Sequence, residues 1–178
     1  MNLDELRNDI ILKQKKGLPF IITSVVIWLL ITVVAALQID ISLKNVLVFC
    51  CSTPLLPLSW IIGKKIGVDI FSKENELGSL GFLFTMNQLI YLLIVMWVFN
   101  AVADKMIMVY AMVYGGHLLP YSWLYKSKSY QIFAVIIPIL ALVLGNVFNG
   151  FVVAGSLTIM EIIFVIILYN ELKVFKKR

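Results

Sequence analysis

The chain has 178 residues, 61% of them hydrophobic and 14% charged, with mean hydropathy +0.98 and a net charge of +5. Soluble domains are nearer 45–50% apolar and about 25% charged, so this composition excludes an ordinary globular protein. The cations sit at the ends of long apolar runs, which removes nucleic acid as a partner. The runs lack the apolar-polar alternation of a membrane β-barrel. The class is all-α: a polytopic membrane protein, a bundle of transmembrane helices in a lipid bilayer.

Residues 1–17 are polar, with Leu3, Leu6 and Ile10 on one side. Asn2 and Glu5 have capping-box spacing. This segment reads as an amphipathic helix on the membrane surface, a free tail being the other reading. The first span covers about 18–37 and opens with Pro19, which suits a first helical turn. Its long charged leader and full-length apolar core favour a retained span over a signal peptide.

The second span, about 45–62, contains Ser52-Thr53-Pro54-Leu55-Leu56-Pro57. Two prolines remove two backbone donors, so a kink or local unwinding is expected there. Ser52 and Thr53 can satisfy the freed carbonyls. The adjacent Cys50 and Cys51 lack disulfide geometry and zinc spacing, and read as small apolar residues. After the loop from Lys64 to Leu77 comes a third span, about 78–99, with Gly81, Thr85 and Gln88 on one face.

The fourth span, about 106–124, is the least apolar. It holds the single histidine, His117, between Gly115-Gly116 and Pro120. Tyr110, Tyr114, His117 and Tyr121 share one helical face. Lipid offers no hydrogen bonds, so that stripe must meet protein or water. Tyr121, Trp123 and Tyr125 read as an interfacial belt. The fifth span, about 130–147, carries Pro138. The sixth, about 151–170, carries Glu161. A basic tail, 171–178, follows.

With both termini cytoplasmic, thirteen cations lie inside (Arg7, Lys13, Lys15, Lys16, Lys64, Lys65, Lys73, Lys126, Lys128, Lys173, Lys176, Lys177, Arg178) and two outside (Lys44, Lys105). That asymmetry predicts six spans, N-in and C-in. Six spans also divide into two halves of opposite orientation, the relation of inverted repeats, although the halves share no convincing sequence match.

Glu161 is the one acidic residue deep in a span. A buried charge costs roughly 2.5–3.5 kcal/mol on the insertion scale and each large aliphatic residue returns about 0.3–0.6, so the sixth span inserts despite it. At 1.5 Å per residue, Glu161 lies roughly 15 Å and His117 about 18 Å from the outer edge. Gln88 reaches the same level from inside, with Ser52 and Thr53 somewhat nearer the outside. Gly150, Ala154 and Thr158 form a small-residue row that lets another helix approach Glu161 closely.

Two readings follow. In one, Glu161 bonds His117, Gln88 or a tyrosine and fixes helix packing. In the other, His117 and Glu161 are the bonded or protonatable centre of a midplane cavity, walled by Gln88, Tyr110, Tyr114 and Thr158. That cavity would serve a small solute, an ion or a lipid. No protease, nucleotide-binding or metal motif is present, and no cofactor or metal is implied. The function expected is small-solute or ion binding of a transport type. The alternatives are an interaction protein (an immunity factor, an accessory subunit or a homo-oligomer) and a lipid-acting enzyme using His117.

Lys15-Lys16-Gly17-Leu18-Pro19-Phe20 ahead of Trp28, with His117-Leu118-Leu119-Pro120 ahead of Trp123-Leu124-Tyr125, resembles a family of small bacterial membrane proteins of unknown function. The resemblance runs along most of the chain. It implies a bacterial plasma-membrane setting and marks Gly17, His117 and Pro120 for test.

Overall fold

The computed structural model describes residues 2–177, so the cation expected at Arg178 lies outside the described residues. All regular structure among them is helical. The first helix, α1 (Leu3–Lys13), opens with the expected capping box: the Asn2 side chain accepts from the Glu5 N–H at 2.9 Å, and the Glu5 carboxylate accepts from the Asn2 N–H at 3.0 Å. Rather than lying free, α1 crosses one end of the bundle and buries Ile10 and Ile11. Asn75 donates to the Leu6 carbonyl (2.8 Å) and to Asp9 (2.7 Å), while Lys126 pairs with Asp4 at 2.8 Å. The Asn75 amide, with Lys13 beside it, holds the Asp9 carboxyl below its usual range.

The junction into α2 (Leu18–Ala36) is a left-handed turn, with φ of 47°, 55° and 70° at Lys15, Lys16 and Gly17. Side chains rarely adopt this region, which costs about 1–2 kcal/mol per residue, so the turn must be held from outside. Lys15 donates to the Ile66 carbonyl. Lys16 is buried, with its Nζ 3.0 Å from Glu171, and its carbonyl accepts from the Tyr130 hydroxyl at 2.8 Å. Gly17 has no room for a side chain, since a Cβ there would sit 3.0 Å from the Tyr130 oxygen.

From that turn α2 runs along α9 (Gly150–Lys176) as the central pair of the bundle. The small-residue row of α9 divides between two helices: the Thr158 hydroxyl lies 3.1 Å from that of Thr32 on α2, whereas a Cβ on Gly150 would meet Ile107, on the helix beginning at Met106, at 2.8 Å. Proline breaks the second apolar run into α3 (Ile41–Ser52) and α4 (Leu55–Lys65), and Thr53 donates to the Cys50 carbonyl at 2.8 Å at the end of α3.

After α5 (Leu77–Ala101), the expected span at 106–124 is not one helix. It divides into α6 (Met106–His117) and α7 (Leu119–Leu124). Pro120 has no N–H for the Gly116 carbonyl and its ring crowds that carbonyl, so the ladder breaks after His117. By contrast Pro138 is carried within a continuous α8 (Lys128–Val147).

Five stretches are long and apolar enough to cross a membrane: Lys15–Ala36, Ile41–Lys65, Leu77–Ala101, Lys128–Val147 and Gly150–Lys176. An all-helical bundle with these stretches fits a multi-pass membrane protein. The two halves α6 and α7 together lead from Lys105, which donates to the Gly145 carbonyl at 2.9 Å, to Lys126 at the α1 end. At the Lys105 end Lys44 donates to the Ala35 carbonyl (3.3 Å) and Asn45 to the Ala103 carbonyl (2.9 Å).

The paired glycines of α6 have opposite surroundings. A Cβ on Gly115 would meet Pro138 of α8 at 2.5 Å, whereas one on Gly116 meets nothing within 4 Å. Gly115→Ala is therefore expected to destabilise by about 1–3 kcal/mol through overpacking. Gly116→Ala should be neutral or stabilising by about 0.5–1 kcal/mol, because alanine restricts the unfolded chain. Thermal unfolding of the two variants in detergent, side by side, measures the difference.

Candidate functional site

The turn-by-turn spacing of α6 and α7 puts Tyr110, Tyr114, His117 and Tyr121 on one face. That face lines a cavity of about 180 Å³. Opposite stand Ser24 and Trp28 of α2, and on the flank Gly81, Thr85 and Gln88 of α5. The stripe and the α5 face expected from spacing thus meet in one place. At one limit of the cavity Tyr110 bonds Ser52, beside the α3–α4 break. At the other, Tyr125 donates to Gln14 at 2.8 Å.

Glu161 is fully buried behind this wall. Its Oε2 accepts from the Tyr114 hydroxyl at 2.7 Å and bonds Ser24, whereas Oε1 has no partner among the described residues. Tyr114 and Ser24 both line the cavity, so two hydroxyls separate the carboxyl from it. Ser24 Oγ also lies 2.7 Å from the Ile21 carbonyl. A hydroxyl carries one hydrogen, which leaves two proton arrangements. In one, a carboxylate accepts from both hydroxyls. In the other, a carboxylic acid donates to Ser24, and Ser24 donates to Ile21.

His117 does not bond Glu161, contrary to one expectation. Its Nδ1 donates to the Tyr114 carbonyl, within its own helix, and its ring lies 5.3 Å from the Tyr114 ring. A carbonyl only accepts, so this bond places the hydrogen on Nδ1 and leaves Nε2 of a neutral ring as an acceptor. Nε2 has no hydrogen bond within the described chain, nor has the Gln88 amide.

The remaining expected residues divide. Ser52 reaches the cavity; Thr53 is exposed and bonds only its own helix. Thr158 is buried against Thr32 and the Ala154 carbonyl rather than in the cavity wall. Tyr121 and Tyr125 are not an interfacial belt. They stack on each other (6.0 Å, 16°) inside the bundle, and Tyr121 bonds Thr85 at 2.8 Å. Of that trio only Trp123 is exposed, with Arg7 over its ring.

Sequence reasoning missed Ser24, although Thr23 and Ser24 are the only hydroxyls in the first half of α2. Ser59 of α4 donates to Thr23 at 3.0 Å, so both hydroxyls tie α2 to its neighbours. It also missed the pair of the buried Lys16 with the half-buried Glu171. Glu171 further accepts from Ser127 (2.6 Å) and the Ser129 N–H (2.9 Å). Nothing local in the sequence couples two residues so far apart.

Tyr114→Phe or Ser24→Ala removes one of the two hydroxyls on Glu161 and is expected to cost about 1–3 kcal/mol. The double variant should cost more than the sum, since the carboxyl then has no partner. Strict additivity in a double-mutant cycle of unfolding temperatures would mean that the two hydroxyls do not act together.

A model of a family of unknown function (DUF7010) matches residues 3–171. No curated protein matches the chain, and no solved structure does. A match over nearly the whole length, from within α1 into the last turns of α9, places this chain in the DUF7010 family of unknown function.

Proposed function

We propose that the protein is a six-crossing bacterial plasma-membrane protein with both termini in the cytoplasm, which binds a small solute in its central cavity in a transport-type role. In this reading α6 and α7 count as one crossing, broken where His117 turns inward. The cation asymmetry supports the orientation. So do the contacts: α1, the Lys126 turn and the Lys16–Glu171 pair share one end, and Lys44 and Lys105 mark the other.

One observation carries the functional reading: a cavity inside the bundle presents an unbonded His117 Nε2 and an unbonded Gln88 amide, with the buried Glu161 one hydroxyl behind it. Polar groups within hydrocarbon are costly unless satisfied, so open acceptors and donors there suit a ligand. Its volume lies below the roughly 300–1,000 Å³ of common small-molecule sites, which favours a small occupant. No Asp, Glu, Lys or Arg side chain lines it, so an uncharged solute suits it better than an inorganic ion.

The test uses a protein with Cys50 and Cys51 replaced by alanine. Gln88→Cys in that background should react with a small methanethiosulfonate reagent, and Thr158→Cys, packed on Thr32, should not. Equal protection of both would mean a dry, packed interior and would end the reading. Glu161→Gln and His117→Ala are expected to purify as folded protein but to lose uptake of small uncharged solutes in proteoliposomes. Parent-like uptake by both would remove these residues from the mechanism.

A further inference from the structure

The cavity has a side door. On one side α4 packs on α2, and on the other α5 packs on α6 and α7, but α4 and α5 form no extensive packed seam with each other. Towards the Lys105 end the gap is closed, because Phe49 and Phe99 approach to 6.5 Å and Asn45 bonds the Ala103 carbonyl. Towards the α1 end it stays open. Leu56, Phe71 and Phe82 each line the cavity and each face outward, at 48%, 62% and 63% exposure. Residues that belong both to a cavity wall and to the outer surface mark a mouth, bounded by Leu56 of α4 and Phe82 of α5, with Phe71 of the connecting loop donating its N–H to Asp69 at 3.0 Å beside them.

The interior is aromatic. Trp28 lies with its ring centroid 5.7 Å from those of both Tyr110 and Tyr114, and Tyr121 and Tyr130 are 5.9 Å apart. Such walls favour a flat ring, by offset or edge contacts. The polar groups in the wall without a partner among the described residues are His117 Nε2, which accepts, the Trp28 Nε1–H and the Gln14 NH2, which donate, and the Gln88 amide, which does both.

Taken together, and resting on the solute-binding reading above, the geometry points to a small, flat, uncharged molecule bearing one O–H or N–H, of the phenol or indole kind. It dissolves in the bilayer, enters between α4 and α5, and donates to His117 Nε2.

The test uses the full chain in lipid nanodiscs with Trp60, Trp97 and Trp123 replaced by phenylalanine, leaving Trp28 as the reporter. The probe is 4-bromophenol, whose bromine quenches a nearby indole. Saturable quenching is expected. Bromobenzene, which has the ring but no donor, should bind about tenfold more weakly, the factor supplied by one net hydrogen bond. His117→Leu should abolish that difference. Gly78→Leu, at the α5 side of the mouth, should slow the onset of quenching about fivefold or more, as a narrowed passage crossed by a near-diffusional encounter.

Equal, non-saturating quenching by the two probes overturns the assignment of ligand class. An unchanged onset in Gly78→Leu overturns the lateral entry. Acrylamide, a water-borne quencher, separates the two levels. If it reaches Trp28 while 4-bromophenol does not, the cavity reading stands and this inference fails. If no quencher reaches Trp28, both fail.

Discussion

A carboxyl in hydrocarbon must be bonded by its neighbours, and the bundle is arranged so that Glu161 is. Ser24 from α2 and Tyr114 from α6 converge on one oxygen of a residue on α9, so three helices share one depth and one rotation about their axes. Apolar packing between membrane helices is weakly directional, because lipid tails are as apolar as leucine. A hydroxyl-to-carboxyl bond is directional. It therefore sets register where Ile31, Leu157 and Phe164, buried as they are, set only contact.

The cavity follows from that register. With Tyr114 turned toward α9, the tyrosines one and two turns away along α6 and α7 face the same side. The break before Pro120 then keeps Tyr121 and Tyr125 inside the bundle, where a straight helix was expected to carry them to the interface. Close approach of α6 to α8 at Gly115 draws α6 toward Pro138, away from the gap between α4 and α5. The opening is the counterpart of tight packing on the opposite side.

Much of this was legible in the chain. Apolar length marked the helical stretches, proline marked the α3–α4 break, and helical spacing marked the Tyr110–His117–Tyr121 stripe. Common depth was legible too, because rise per residue is fixed. What spacing could not say is which residues at a given depth touch. His117 and Glu161 lie at similar levels, yet the imidazole turns back on its own helix and a tyrosine takes the carboxyl. The partner at α2, Ser24, was hidden because a lone serine in an apolar run reads equally well as a residue bonded to its own backbone, as it also is here. The division at Leu118 was missed for a different reason: proline in α8 is absorbed, and proline in α7 is not, and only the neighbouring helices decide which.

The left-handed turn at Lys15–Gly17 bears on how the protein folds. It is held by Glu171 and Tyr130, and α2 finds its main partner in α9, so residues far apart in sequence complete one another. Without α9, Ser24 and Thr32 of α2 lack the Glu161 and Thr158 side chains they bond, and Lys16 lacks its carboxylate. The turn and the α2–α9 pair therefore form together, since the buried ammonium and the α2 hydroxyls are satisfied only when both helices are in place.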